Sequence, residues 1–283
     1  MVFRVGRTVC LAIGQQQDIR CPYRGTMPVG AFEVICEVEP ATRPDIMHVR
    51  HQIGVMSRIA SAFLIPDNHI GRATVSSIAV AHEVGLMGGR AIACLNARDR
   101  NVLGFRRDLL TAAAYGVDEF LFVYGDRPES GARSDDLTVR SMIADARGFA
   151  SSTGQNRPLR VGVTSGLRPL PGWKREADFL LAQVAFSMRD LIEWRSSVAF
   201  SGPLYAGVMV LPSAAMARKL SVDIPQLAVP EPVIERLEHD RDAGIEIACE
   251  LLEQIKDSEG FDGVHLIPVS RYREMASRIE RIL

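Results

Sequence analysis

The chain of 283 residues lacks the signatures of several large protein classes. Its formal net charge is -1, and its acidic and basic residues are interspersed, so it has no basic footprint of the kind that binds nucleic acid. It contains neither a GxGxxG nor a GxxxxGK(S/T) motif, which argues against a Rossmann fingerprint and a P-loop. The apolar run at residues 9–13 is too short for a secretion signal or a membrane span, so no membrane partner is expected.

Cysteine and histidine are too few and too scattered to indicate a metal site. The five cysteines are odd in number and form no CxxC pair, which argues against a disulfide framework and against zinc. A reducing, cytoplasmic location therefore fits best. His48 and His51 share a helix face without an acidic partner, and none of the six histidines stands at metal-ligand spacing. Assembly into a homo-oligomer stays open.

Strand and helix patterns alternate from residue 34 onward, which is typical of repeated βα units around a parallel sheet. Eight strands are predicted, the number that a closed (βα)8 TIM barrel needs, and 283 residues suit one such domain. They cover residues 34–38, 62–65, 90–95, 119–124, 160–163, 179–184, 206–211 and 263–269. An open doubly wound sheet is the rival architecture, and it requires some of these strands to be misread.

Nine stretches between or after these strands have apolar residues at helical spacing. They cover residues 46–59, 75–87, 105–115, 138–150, 188–198, 214–220, 232–239, 245–255 and 272–282. We expect a single barrel domain over residues 26–283, preceded by a tail at residues 1–25. Met27 is an alternative start of the functional chain.

Polar residues collect where two of the predicted strands end. Arg98 and Asn101 follow the third strand, and Asp126 follows the fourth. Ligands of parallel βα folds lie outside the carboxyl ends of the strands, so these positions are candidates for chemistry. The alternative is structural: Asn101 would cap the next helix, and Asp126 would be a turn residue.

Two further polar residues interrupt apolar strands. Glu37 lies near the end of the first strand, and period-two alternation places Glu39, just beyond that strand, on the same face. A carboxylate inside a barrel mouth is costly unless it is used or paired, which makes Glu37 a candidate general acid. Gln183 lies late in the sixth strand, where its amide could read the edge of a heterocycle or bond to the backbone.

Taken together, these residues resemble the methylenetetrahydrofolate reductase family from Glu37 to the C-terminus. The matching elements follow one another on the eight βα units. They are Glu37-Val38-Glu39-Pro40, Asp67-Asn68 with Gly71-Arg72 and Ser76-Ser77, Arg98-Asp99-Arg100-Asn101, Asp108-Leu109-Leu110 with Gly116-Val117, Gly125-Asp126, Ala177-Asp178-Phe179 followed by Gln183, Gly207-Val208-Met209 with Pro212, Val229-Pro230, and Gly263-Val264-His265-Leu266.

The resemblance implies a barrel that reduces 5,10-methylenetetrahydrofolate to 5-methyltetrahydrofolate, with FAD carrying hydride from NAD(P)H, in one-carbon and methionine metabolism. Glu37 matches the acid that protonates N10, so that N5 becomes an iminium able to accept hydride. Asp126 matches a carboxylate near the pterin and flavin, whose charge favours that cation. Gln183 matches the amide that reads the pterin ring.

The departures from the family pattern concern the flavin. Cys94 and Tyr124 replace a usual histidine and arginine, and Pro66 replaces a usual threonine. The helix that normally separates strands five and six is reduced to residues 170–176. The cofactor contacts that the resemblance implies are Asp67, Cys94, Asn96, Arg98, Asn101, Tyr124, Gly125, Arg168 and Lys174.

Three functional hypotheses follow. The first is a reductase that keeps FAD in a remodelled site. In the second, NAD(P)H delivers hydride directly to the folate without a flavin. The third is a folate-binding or methyl-transfer accessory protein without reductase activity.

Overall fold

The computed structural model describes residues 31–152 and 158–283, without the side chain of residue 152. The predicted tail at residues 1–25, the domain start at residue 26 and Met27 lie outside the described residues. Eight parallel strands close into a barrel in chain order, each paired with the next and β8 with β1. The strands are β1 Glu33–Glu37, β2 Ala62–Ile65, β3 Ala91–Asn96, β4 Glu119–Val123, β5 Arg160–Ser165, β6 Phe179–Val184, β7 Leu204–Met209 and β8 Gly263–Ile267. The predicted (βα)8 barrel is confirmed, and the open sheet is wrong.

The helices of the described ranges pack outside the barrel and match the predicted stretches, with shifts at their ends. They are α1 Met47–Met56, α2 Ser77–Leu86, α3 Val102–Ala114, α4 Val139–Ser152, α5 Met188–Ser197, α6 Ala214–Asp223, α7 Glu231–His239, α8 Ala243–Asp257 and α9 Tyr272–Ile279. Between β5 and β6 the described chain forms a short 3-10 helix, Gly172–Glu176. No helix in the described part is both long and apolar enough to cross a membrane.

The strands are apolar on both faces because each face is covered. On β4, Phe120 and Phe122 pack outward under the helices, whereas Leu121 points into the barrel. There it joins an inner cluster that includes Ile35 and Leu181. This two-sided burial explains why the strands are continuous apolar runs in the sequence.

Charged side chains close the amino-terminal end of the barrel interior. Arg90 pairs with Glu33 at 2.8 Å, and Arg160 pairs with Glu119 at 2.9 Å. Arg90 Nε also lies 3.6 Å from Glu119, and the Tyr205 hydroxyl donates a hydrogen bond to Glu33. The charges of this floor are matched within the protein, which leaves the opposite end as the candidate site.

The charged floor sets the ionisation of its members. Burial raises the pKa of Glu33, but hydrogen bonds from Arg90 and Tyr205 and the charges of Arg90 and Arg160 outweigh it, so the pKa lies below its usual value. Burial, followed by the hydrogen bond to Glu33, raises the pKa of Tyr205 to about 12. Tyr205 therefore stays a neutral donor to an ionised Glu33.

Phe179 fills the barrel interior at a place where β5 has no side chain. A Cβ atom at Gly162 would lie 2.1 Å from the Phe179 ring, which is fully buried. The Arg160 guanidinium lies 4.8 Å from the ring centroid, so the ring is held between the strand and the floor. Gly162 is therefore required by packing.

We expect Gly162→Ala to destabilise the protein by about 1–3 kcal/mol, because the added methyl group overpacks a filled interior. Gly148→Ala is the matched control. Gly148 is an exposed glycine inside α4 with no atom within 4 Å of an added Cβ, and alanine there should raise stability by about 0.5–1 kcal/mol. Urea unfolding of both variants measures the difference, and equal effects would contradict the packing argument.

The lowered pKa of Glu33 predicts a pH-dependent stability. Ionised Glu33 stabilises the fold above its unfolded-state pKa of about 4.3, and this stabilisation is lost as the pH falls through the lower folded-state pKa. Glu33→Gln should therefore be less stable than wild type near neutral pH, and the gap should narrow in acid. Urea unfolding from about pH 7 to about pH 3 measures the gap.

Glu250→Gln provides the control for this experiment. A hydrogen bond from Arg236 also lowers the pKa of Glu250, but its side chain is 52% exposed, so solvent screens the pair. The stability gap of this variant should be small at every pH. A gap for Glu33→Gln that does not change with pH would contradict the assignment.

Candidate functional site

An acid and an imidazole meet inside the carboxyl-terminal mouth of the barrel. Glu37 is the last residue of β1, and His265 lies on the neighbouring β8. His265 Nε2 lies 3.1 Å from Glu37 Oε2, and the two side chains are 10% and 17% exposed. A carboxyl and an imidazole at this distance can share and pass a proton. Glu37 is thus at the mouth, as predicted.

His265 is not among the site residues predicted from the sequence. It belongs to the matching run Gly263-Val264-His265-Leu266, and a polar residue inside an apolar strand was the signal that could have identified it. The second carboxylate, Glu39, is outside this pair. The strand ends at Glu37, so the predicted alternation does not reach Glu39, whose side chain is exposed and lies 4.0 Å from His48.

Cys94 lies next to the acid in the inner apolar cluster. Burial, followed by the negative charges of Glu37 and Asp67, raises the pKa of Cys94 well above its usual range. The side chain is therefore a neutral thiol, which packs as a small apolar group. Glu37 and Asp67, two further predicted site residues, thus act on Cys94 through their charges.

A buried polar network forms the wall of the mouth after β2 and β3. Asp67 Oδ2 accepts hydrogen bonds from the Asn96 backbone N–H at 3.0 Å and the Asn96 amide at 2.8 Å, and pairs with Arg100 at 2.5 Å. Arg100 also pairs with Asp108 at 2.9 Å. The side chains of Asp67 and Arg100 are only 5% and 12% exposed. Asp67 and Asn96, predicted to contact a cofactor, thus bond to protein groups.

The loop after β4 packs closely against this wall. Gly125 has φ +95°, and a Cβ there would lie 2.9 Å from the side chain of Asn96, so only glycine fits. The next residue, Asp126, is exposed and accepts a hydrogen bond from the Ile70 backbone N–H at 3.0 Å. In the described ranges no hydrogen bond joins Asp126 to Glu37. Asp126 therefore lies at the rim of the mouth, on the wall side.

Gln183 lies on β6, on the other side of the mouth. The pairing of β6 with β7 shifts register between Leu181 and Val184, and Gln183 lies in that irregularity. A Cβ at Gly207 would lie 2.7 Å from the Val184 nitrogen, so Gly207 gives the irregular strand its space. Gln183 makes no side-chain hydrogen bond to any residue of the described part. The proposed backbone partner for this amide is thus not found there.

The remaining predicted residues after β3 and β4 have two roles in the structure. Asn101 caps a helix, and Arg98 stacks on the ring of Tyr124. Asn101 Oδ1 accepts a hydrogen bond from the Gly104 backbone N–H at 2.8 Å and caps α3, which is the structural alternative stated above. The Arg98 guanidinium lies 4.8 Å from the centroid of the exposed Tyr124 ring. Arg98 Nε is buried without a hydrogen-bond partner in the described ranges.

Two cations follow β5. Lys174 Nζ donates a hydrogen bond to the Thr164 carbonyl at 2.6 Å, and burial, followed by the charge of Arg168, lowers the pKa of Lys174. The Arg168 side chain is exposed, and its carbonyl accepts a hydrogen bond from the Trp194 indole at 3.0 Å. Both residues are cofactor contacts that the resemblance implies, but Lys174 already bonds to the backbone.

These contacts test the fit of the implied flavin. Asp67, Asn96, Asn101 and Lys174 direct their polar atoms to other protein groups, and the thiol of Cys94 faces the inner cluster. The side chains of Arg98, Tyr124 and Arg168 make no hydrogen bond to another residue of the described part, so their polar groups could contact a ligand. The described residues therefore do not form the complete FAD site that the resemblance implies.

Comparisons with known proteins show similarity in fold. No protein-family model matches the chain, and no curated protein matches its sequence. An uncharacterised protein from Clostridium thermocellum that binds two copies of 5-methyl-5,6,7,8-tetrahydrofolic acid has a similar structure, with a TM-score of 0.61 and 11% identity over 89% of this chain and 96% of that one. An active-site mutant of Rhizomucor miehei β-1,3-glucanosyltransferase, in complex with laminaritriose, reaches 0.51 with 11% identity over 83% and 86%. At this identity the likeness shows the barrel fold alone.

The wall network predicts unequal roles for two neighbouring arginines that both pair with Asp108. Arg100→Met should destabilise the protein by about 3–5 kcal/mol, because it leaves Asp67 and Asp108 without their buried partner. Arg107→Met is the matched control and should cost about 0–1 kcal/mol, because the side chain of Arg107 is 74% exposed. Urea unfolding measures both changes. Similar losses would show that the wall does not depend on the buried pair.

Proposed function

We propose that this protein binds a reduced folate in the carboxyl-terminal mouth and reduces 5,10-methylenetetrahydrofolate to 5-methyltetrahydrofolate with NAD(P)H. The observation that carries the proposal is the Glu37–His265 pair. The Glu37 carboxyl group is largely buried, and the His265 imidazole, which can exchange a proton with it, lies 3.1 Å away. The barrel similarity to a Clostridium thermocellum protein that binds 5-methyl-5,6,7,8-tetrahydrofolic acid supports the ligand class.

The residues of the mouth suit the steps of that reaction. Protonated Glu37 gives its proton to N10 of the folate, the bond from N10 to the bridging carbon breaks, and N5 becomes an iminium. Hydride from NAD(P)H then reduces the iminium carbon to a methyl group. His265 returns a proton from solvent to Glu37, so one NAD(P)H and one proton are consumed in each turnover.

The other two predicted residues have supporting roles in the proposal. The amide of Gln183 can both donate to and accept from a pterin edge, and its lack of a side-chain bond within the described part keeps it available. One carboxylate oxygen of Asp126 accepts a hydrogen bond from the Ile70 backbone N–H. The negative charge of Asp126 at the rim would stabilise a nearby cationic iminium.

Folate binding is tested apart from catalysis. Titration of the protein with 5-methyltetrahydrofolate, followed by calorimetry, should give saturable binding, and Gln183→Leu should weaken it by about tenfold. No saturable binding to the wild-type protein would overturn the proposal.

We expect Glu37→Gln to lower the rate of NAD(P)H oxidation with 5,10-methylenetetrahydrofolate by about 10²–10⁴-fold and to leave 5-methyltetrahydrofolate binding near wild type. Glutamine keeps the shape of the side chain but carries no acidic proton. Glu39→Gln is the matched control: it is an exposed glutamate two residues further on, and its variant should keep near wild-type rates. Undiminished turnover in Glu37→Gln would exclude Glu37 as the acid.

The cofactor route has two forms. FAD carries the hydride in the first, and NAD(P)H delivers it directly to the folate in the second. The second form is favoured by the engagement of Asp67, Asn96 and Lys174 with protein groups. The visible spectrum of the purified protein and turnover with and without added FAD distinguish them. Bound or reconstitutable flavin that is needed for turnover would exclude the direct route.

An accessory protein is the remaining alternative. Its motivation is the same incomplete flavin site, and it predicts folate binding without NAD(P)H oxidation under any condition. The binding titration and the turnover assay together separate it from both reductase forms.

A further inference from the structure

A buried glutamine in α1 bonds twice to the chain that leaves β1. Gln52 is 1% exposed. Its Oε1 accepts a hydrogen bond from the Glu39 backbone N–H at 2.9 Å, and its Nε2 donates to the Glu39 carbonyl at 3.2 Å. Both halves of the amide are thus used on the backbone of one residue, 13 positions away in the sequence.

The position of Gln52 would ordinarily hold an apolar residue. The other buried residues of α1 are Val49, Ile53 and Met56, which pack into the main core. Burying an amide is unfavourable unless its hydrogen bonds are made, so an apolar side chain would serve packing at least as well. The choice of glutamine therefore points to the two bonds to Glu39.

The two bonds from Gln52 lie just beyond the last backbone hydrogen bond from this segment to β2. The Val38 backbone N–H donates to the Leu64 carbonyl of β2 at 3.0 Å, just beyond the end of β1. Glu39 is the next residue, and Gln52 satisfies both of its backbone polar groups. Glu37, two residues earlier, is thus followed directly by a segment fixed to β2 and then to α1.

We infer that Gln52 is a positioning residue that fixes the end of β1 and so holds the Glu37 carboxylate against His265. Its catalytic consequence rests on the proposed reductase function, whereas its effect on the Glu37–His265 contact does not. Among the described residues, the side chain of Gln52 makes no hydrogen bond to either side chain of that pair.

The test compares the loss of side-chain hydrogen bonds just beyond the end of β1 with their loss at its start. Gln52→Met removes the bonds to Glu39 and nearly keeps the volume and the apolar stem. Ser61→Ala is the matched control, because Ser61 Oγ accepts from the Val34 backbone N–H at 3.1 Å at the start of β1. Both variants lose side-chain hydrogen bonds to the backbone of β1 or of the segment that follows it. Only Gln52→Met loses them near Glu37.

The first readout is the imidazole ¹⁵N signal of His265 in the free protein, assigned by its disappearance in His265→Asn. We expect this signal to shift in Gln52→Met in the same direction as in Glu37→Gln, and to stay at the wild-type position in Ser61→Ala. An unshifted signal in Gln52→Met, or equal shifts in both variants, would overturn the inference. A general loss of stability would not produce this selective shift.

The second readout is turnover. Gln52→Met should lower kcat by about tenfold or more and leave the KM for NAD(P)H near wild type, because a small misplacement of the acid slows only the chemical step. If wild type shows no reductase activity, the proposed function fails, and the imidazole signal still decides the role of Gln52.

Gln52→Leu keeps the test decisive if Gln52→Met does not fold. Leucine favours the helix and suits a buried position, but it makes neither bond to Glu39. The His265 signal should then shift in the same direction as in Glu37→Gln. An unchanged signal in this variant would likewise overturn the inference.

Discussion

Closure of the parallel sheet is the constraint on which the rest of the molecule depends. In a closed barrel every second residue of a strand points inward, and the inward positions are filled by side chains. On β1 the inward positions are Glu33, Ile35 and Glu37. Glu33 lies in the charged floor, Ile35 in the apolar middle of the barrel and Glu37 at the mouth. The same strand therefore supplies one carboxylate to a structural cluster and another to the candidate site.

The two ends differ in how completely their charges are matched. At the floor, Glu33 and Glu119 each have an arginine partner, and burial of these charges is offset within the protein. The wall of the mouth is matched in the same way, with Arg100 between two carboxylates. Glu37 is different, because among the described residues its partner is an imidazole rather than a permanent cation. A pair whose charge depends on one proton is suited to moving that proton.

Local patterns predicted most of the fold and part of the site. Apolar runs at regular spacing predicted the strands, and the position of Glu37 at the end of the first strand predicted its place at the mouth. The cap at Asn101 was also predictable, as one of two alternatives. The contact of His265 with Glu37 was not predictable, because it joins residues 228 positions apart and exists only where the barrel closes. Sequence spacing carries no information about such a contact.

Loop geometry was the other part that the sequence did not reveal. The bond from Ile70 to Asp126 depends on a left-handed conformation at Ile70, with φ 57°, which a β-branched residue seldom adopts. Strain of this kind persists only where surrounding contacts hold it. Here Glu129 donates its backbone N–H to the Gly71 carbonyl at 2.9 Å, so two loops fix one another at the rim.

The order of strands around the mouth indicates which side of the proposed ligand each predicted residue would face. Gly207 on β7 pairs with Val184 of β6 and with His265 of β8, so a position without a side chain separates Gln183 from the acid pair. On the other side of Glu37, the Asp67–Arg100 network fills the wall. In the proposed complex, Gln183 on β6 would therefore face one edge of the ligand ring and Glu37 on β1 its reacting nitrogen, with β7 and β8 between them.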